Sequence, residues 1–249
     1  TGLIKYTNRV LDTEQRFICV SRPRRFGKSM AAQMLVAYYC KAYDSRNLFD
    51  GLEIERDKSF HSHLNQYDVL FLDMQRFLNR AKSPKDLTAY LQTAVLGELK
   101  EVYADYIHPD EPELVSALEN IAEKAGKEFI FIIDEWDCVF REPLSDDATQ
   151  KDYLDFLRDL FKGQTFVKLA YMTGILPIKK YGTHSALNIF YEYSMTEPKE
   201  LAEYTGFTEK EVQNLCEEYG MDFSEMQKWY DGYKLKNVNH MYNPKSVVD

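Results

Sequence analysis

The stretch Ser21-Arg22-Pro23-Arg24-Arg25-Phe26-Gly27-Lys28-Ser29 lies between the apolar run Phe17-Ile18-Cys19-Val20 and a helical pattern from about Ser29 to Tyr39. Buried strand, tight turn and helix form the local context in which Gly-Lys-Ser closes on phosphate groups. In that motif glycine lets main-chain N–H groups turn inward, the lysine reaches the β- and γ-phosphates, and the serine hydroxyl ligates Mg²⁺. The helix start adds the positive end of its dipole. Position 22, where G-x-x-x-x-G-K-S/T has its first glycine, is occupied by Arg22. The nucleotide-binding set read from this stretch is Arg24, Arg25, Phe26, Gly27, Lys28, Ser29 and Met30.

The second half of the pattern lies downstream. Phe129-Ile130-Phe131-Ile132-Ile133 is an uninterrupted run of large apolar residues and ends in Asp134-Glu135. A buried strand that presents two carboxylates at its end is the Walker B arrangement. Asp134 then holds the Mg²⁺ shell with Ser29, and Glu135 polarises the attacking water. Alone, Gly-Lys-Ser/Thr occurs by chance in roughly one chain of this size in ten; with the Asp-Glu run, in about one in several hundred. Val69-Leu70-Phe71-Leu72, a strand between the two motifs, points to the branch of P-loop ATPases with a catalytic glutamate. The strand after Walker B in that branch ends in a small polar residue that senses the γ-phosphate. Thr173, closing Leu169-Ala170-Tyr171-Met172, is the candidate, with capping of a turn before Gly174 as the alternative.

Strands separated by helical segments imply a parallel α/β sheet of about five strands, with helices on both faces. Leu87, Leu91, Val95, Leu99 and Val102 form one helical stripe, with Ser83 as N-cap and Pro84 as first residue. Gly126 terminates a helix carrying Leu114, Leu118 and Ile121. Ile189 to Met195 is the fifth strand candidate. Beyond Thr196-Glu197-Pro198 two capping boxes, Thr208-x-x-Glu211 and Ser224-x-x-Gln227, announce short helices. The expected organisation is a core over 1–195 and a small, truncated helical part over 196–249.

The 249 residues carry 31 basic against 40 acidic side chains, a net charge of −9 that argues against coating nucleic acid by bulk electrostatics. No apolar run approaches the length of a membrane span. Cys19, Cys40, Cys138 and Cys216 are scattered, so neither a disulfide framework nor a zinc knuckle is expected, and the compartment reads as the cytoplasm. His61-Ser62-His63 has no further ligand at metal spacing and reads as a polar loop.

These motifs together resemble the AAA-ATPase-like family of bacteria and archaea, distantly akin to STAND nucleotide switches. The resemblance rests on Arg22 to Ser29, on Ile132-Ile133-Asp134-Glu135-Trp136-Asp137 and on Thr173-Gly174-Ile175. It continues through Gly206-Phe207-Thr208-Glu209, Tyr230-Asp231-Gly232-Tyr233 and Tyr242-Asn243-Pro244. Arg22 is normal at its position in this family, and Trp136 stands where the usual residue is tyrosine. The resemblance implies ATP and Mg²⁺ as cofactors and hydrolysis coupled to a conformational switch that controls an effector. Its alternatives are a low-turnover regulatory module and an ATPase subunit acting on nucleic acid. It also implies a PD-(D/E)XK nuclease-like domain beyond Asp249, as many members carry, and a start at Thr1 partway through a family motif; a homo-oligomer is an open alternative to a single chain. Of Arg22, Arg24 and Arg25, at least one is expected to face the nucleotide. Arg80, Arg141 and Arg158 are eligible by position as transition-state arginines, with a plain surface charge the favoured alternative for each. Tyr230 to Tyr233 is either a lid element or a helix end closed by Gly232.

Overall fold

The computed structural model describes residues 1–178, 187–230, 232–235 and 238–248. The first sheet has five parallel strands: β1 (Phe17–Ser21), β2 (Asp68–Asp73), β3 (Phe129–Asp134), β4 (Val167–Gly174) and β5 (Tyr191–Tyr193). Their order is β2-β3-β4-β1-β5, so β4 separates the two motif-bearing strands. Register aligns Asp73 with Asp134, and Val20 with Thr173. All strands run the same way, so the chemistry-bearing residues gather along one edge.

The apolar run of β3 is continuous because both faces of the sheet are covered. Phe129, Phe131 and Ile133 point into one core with Cys19, Ala170 and Met172. Ile130 and Ile132 point into the other with Ile18, Val20, Leu169 and Tyr171. The first core is closed by α4 (Met74–Arg80), α5 (Leu87–Val102), α6 (Leu114–Ala125), α7 (Cys138–Arg141) and α8 (Asp147–Phe161). On the second face lie α1 (Gly2–Val10), α2 (Lys28–Tyr39) and the one-turn α3 (Phe60–His63). Each Ile or Phe taken out of water here contributes roughly 1.5–3 kcal/mol.

Several local expectations change. Ser83-Pro84 opens a 3₁₀ turn over Pro84–Asp86 that leads into α5. The α5 stripe ends at Leu99: Val102 is exposed, and Tyr103 and Ile107 continue the core in its place. His61 and His63 lie in α3 rather than a loop, and His63 is stacked on Tyr67. Gly126 does close α6, at φ +61.

The C-terminal part holds α9 (Glu209–Tyr219), α10 (Phe223–Trp229) and α11 (Pro244–Val248). It also contains an antiparallel sheet, unforeseen from sequence, of β6 (Phe207–Thr208), β7 (Tyr233–Leu235) and β8 (Val238–Tyr242). Thr208 and Glu211 form the expected capping box of α9. At α10 the cap is instead Asp222, whose carboxylate accepts from Ser224 N (2.8 Å), while Gln227 reaches Glu209. Among the described residues no helix is long and apolar enough to cross a membrane.

Candidate functional site

The turn from β1 to α2 curls because Arg25 (φ +70) and Gly27 (φ +77) both adopt left-handed backbone. Left-handed residues so placed direct successive N–H groups to one side, making a concavity suited to anions. A Cβ on Gly27 would meet nothing within 4 Å, so the space beside the loop is open. Lys28, buried at the start of α2, donates from Nζ to Pro23 O inside the same loop (2.9 Å). Burial lowers its pKa, and the carboxylates of Glu135 and Asp134 partly oppose that shift. That coupling brings the two halves of the sequence pattern to one place. Ser29 and Met30 are exposed in the first turn of α2.

Arg22, Arg24 and Arg25 part company. Arg22 is 1% exposed and donates to Ser21 O (3.0 Å), Tyr193 O (2.7 Å) and Leu201 O (3.3 Å). Burial lowers its pKa to about 10, and it stays protonated at neutral pH. It therefore ties the end of β1 to the end of β5 and to the 3₁₀ turn Lys199–Leu201. Arg24 and Arg25 are exposed. The Phe26 ring is fully buried with Ala202 and Met241 and edge-on to Tyr233, and Phe26 O accepts from Gly206 N (3.0 Å). Asn243 Nδ2 donates to Arg24 O (3.3 Å). The C-terminal part thus grips the loop through both main chain and side chain, a link with no periodic signal in the sequence. Tyr233 takes part in it, Gly232 turns at φ +70, and Asp231 lies outside the described residues.

Across from the loop, Asp134 Oδ1 accepts from Thr173 Oγ1 (2.7 Å) and from Glu135 N (3.1 Å). With Oδ1 so occupied, Oδ2 is the oxygen left for a cation. One carboxylate, one serine hydroxyl and phosphate oxygens are the donor set Mg²⁺ takes beside a nucleotide, where it keeps several waters. Thr173, expected as the γ-phosphate sensor, is completely buried with its hydroxyl bonded to Asp134. Glu135 has φ +56, a strained setting for a residue with a Cβ. Its carboxylate pairs with Arg141 of α7. Arg158 is instead occupied by Asp155 and Asp159, and Arg80 closes α4.

Sequence reasoning missed Asp137. Fully buried, it accepts through Oδ2 from Ile175 N (3.0 Å) and Leu176 N (2.8 Å), with Arg141 Nε at 3.4 Å. Its signal was a third acidic residue following an aromatic one, Trp136, also fully buried. Gly174 makes this packing fit, since a Cβ there would lie 2.6 Å from two Trp136 ring atoms and 2.8 Å from Asp137 Oδ1. Gly174→Ala is therefore expected to cost about 1–3 kcal/mol, read as a lowered denaturation midpoint. A loss under 0.5 kcal/mol would mean that the indole has room to move.

A family model described as "Predicted AAA-ATPase", the AAA-ATPase-like family, matches residues 4–184. The chain belongs to this family. The match spans the phosphate loop, Asp134-Glu135 and Thr173 of the AAA-ATPase-like chain. Among solved structures, a Walker-type ATPase of Pyrococcus abyssi is similar at 15% identity and a TM-score of 0.45. That likeness covers 92% of this chain and 61% of the archaeal one, so the chain spans under two thirds of its neighbour's length. No curated protein matches by sequence.

Proposed function

We propose that the protein binds Mg·ATP at the β1–α2 turn and hydrolyses it, coupling the nucleotide state to the C-terminal part. The observation that carries this reading is that β1, which leads into Lys28, and β3, which ends in Asp134-Glu135, run parallel on either side of β4, whose Thr173 bonds Asp134 at the same edge of the sheet. Lys28 leaves Pro23 O for phosphate oxygens, and the main chain from Arg24 to Met30 cradles them. Ser29 and Asp134 would hold Mg²⁺, which would supply neutralisation of the charge that develops on the phosphate oxygens. Glu135 takes a proton from water as the water oxygen bonds to the γ-phosphorus. The bond from that phosphorus to the bridging oxygen breaks, leaving ADP and phosphate. Thr173 is a positioning residue for Asp134. A cavity of 820 Å³ beside Gly27, bordered by Leu3, Met30, Met34 and Phe207 and also by Glu203, Lys210 and Glu211, would take the base.

Residues 196–249 serve as the lid in this reading. Support comes from the contacts of Phe26 with Met241 and Tyr233 and of Arg22 with Leu201, which transmit any shift of the loop. Lys28→Ala is expected to weaken Mg·ATP binding at least tenfold in calorimetric titration while thermal unfolding stays close to wild type. Unchanged affinity would remove the loop as the phosphate site. A second reading, a switch that holds nucleotide with little turnover, is favoured by one observation: the Glu135 carboxylate is already paired with Arg141.

A further inference from the structure

We propose that Arg141 is a latch, supplied by the chain itself, that withholds Glu135 from the attacking water until nucleotide is seated. The proposal rests on the ATPase reading above and names the device that sets its rate.

Glu135 and Arg141 are six residues apart, joined by a bend and the single turn of α7. The left-handed backbone at Glu135 fixes where its side chain starts. Oε2 accepts from Arg141 Nη2. The pair is only 20–25% exposed at its side chains, so salt and water screen it less than a surface pair. Arg141 is also anchored from behind, with Nε 3.4 Å from the carboxylate of Asp137, which is fully buried and held by two backbone N–H groups. Of its two acidic partners Asp137 is fully buried and held by two backbone N–H groups, whereas the partly exposed Glu135 carboxylate is held by Arg141. The Glu135 end is therefore the end that opens.

A carboxylate that accepts from a guanidinium is a poorer proton acceptor for water, since the charge it needs is already neutralised. Phosphate oxygens entering beside Lys28 offer the guanidinium a competing anion, and exchange of Arg141 from Glu135 to them frees the base. The latch thus makes turnover conditional on a fully seated triphosphate and keeps the rate low otherwise.

The test is steady-state phosphate release by the whole chain with Mg·ATP, for wild type, Arg141→Gln, Arg141→Lys, Glu135→Gln and the Arg141→Gln/Glu135→Gln double variant. Mg·ATP affinity and thermal unfolding are measured alongside. Arg141→Gln is expected to raise kcat roughly three- to tenfold with KM nearly unchanged. Arg141→Lys, which keeps the charge but loses the planar fork, should fall between wild type and Arg141→Gln. The double variant should match Glu135→Gln alone, because a latch has nothing to release without its carboxylate. A lower kcat in Arg141→Gln would overturn the latch and make Arg141 a transition-state cation. An unchanged kcat with ATP still bound, or a gain that persists on Glu135→Gln, overturns it as well. If Arg141→Gln fails to fold, Arg141→Lys decides by the same signs. Failure of every variant, wild type included, to bind Mg·ATP rejects the nucleotide reading itself and the latch with it.

Discussion

Glu135→Gln is expected to cut phosphate release by about 10²–10⁴-fold while Mg·ATP affinity stays within a few-fold of wild type. Glutamine keeps the size and the polarity of the side chain but has no carboxylate to take a proton. Asp134, whose Oδ1 is fixed by Thr173 and by the Glu135 N–H, is untouched in this exchange, so the proposed cation site would persist. The loss therefore falls on kcat, the pattern of an interaction made only in the transition state. With Arg141 latching the wild-type carboxylate, the wild-type rate is already depressed, and the measured drop sits toward the lower end of that range. In the Arg141→Gln background the same exchange shows its full size. A Glu135→Gln protein that turns over as fast as wild type in both backgrounds would remove Glu135 from the chemistry.

The parts of this fold visible in the sequence are those with a period or a motif. The run Phe129 to Ile133 reads as a doubly buried strand because both faces need apolar side chains, and it is one. Gly126 and Thr208 to Glu211 read as helix ends because capping is a local transaction between residues a few positions apart. Ser224 misled, since Asp222 two positions earlier offers a carboxylate to the same turn. The small C-terminal sheet stayed hidden because β6 has two residues and β7 three, too few for an alternation to register. Lys28, Ser29, Asp134 and Glu135 stand out in the sequence as candidates because phosphate chemistry constrains residue type and spacing together, and the parallel sheet sets the turn and the two carboxylates at the same edge. The role of Arg22 was not: a guanidinium serving three carbonyls from residues as distant as 193 and 201 is a long-range fact. Thr173 was found for its place at the end of β4, but its bond to Asp134 depends on strand order, which no spacing along the chain encodes.

Asp137→Ala is expected to destabilise the protein by roughly 3–5 kcal/mol, the cost of breaking a buried charged contact by deleting one partner. The side chain is fully buried and takes the N–H groups of Ile175 and Leu176, so its removal leaves two backbone donors unpaired and Arg141 without its inner anchor. Against a typical total of about 5–15 kcal/mol, that is enough to shift a urea midpoint far while the slope of the transition is preserved. Asp137→Asn separates the two contributions. It retains an acceptor oxygen for the N–H groups but not the charge facing Arg141, so it should cost clearly less than alanine. If asparagine costs as much as alanine, pairing with Arg141 outweighs the N–H groups in holding this loop. If alanine costs less than 1 kcal/mol, the carboxylate is not what ties the turn after β3 to the turn after β4. The tie has a functional side as well. Ile175 and Leu176 directly follow Thr173-Gly174, so loosening them also frees Thr173 from Asp134. An Asp137→Asn protein that still folds should therefore need more Mg²⁺ for half-maximal phosphate release, although residue 137 touches neither the cation nor the nucleotide.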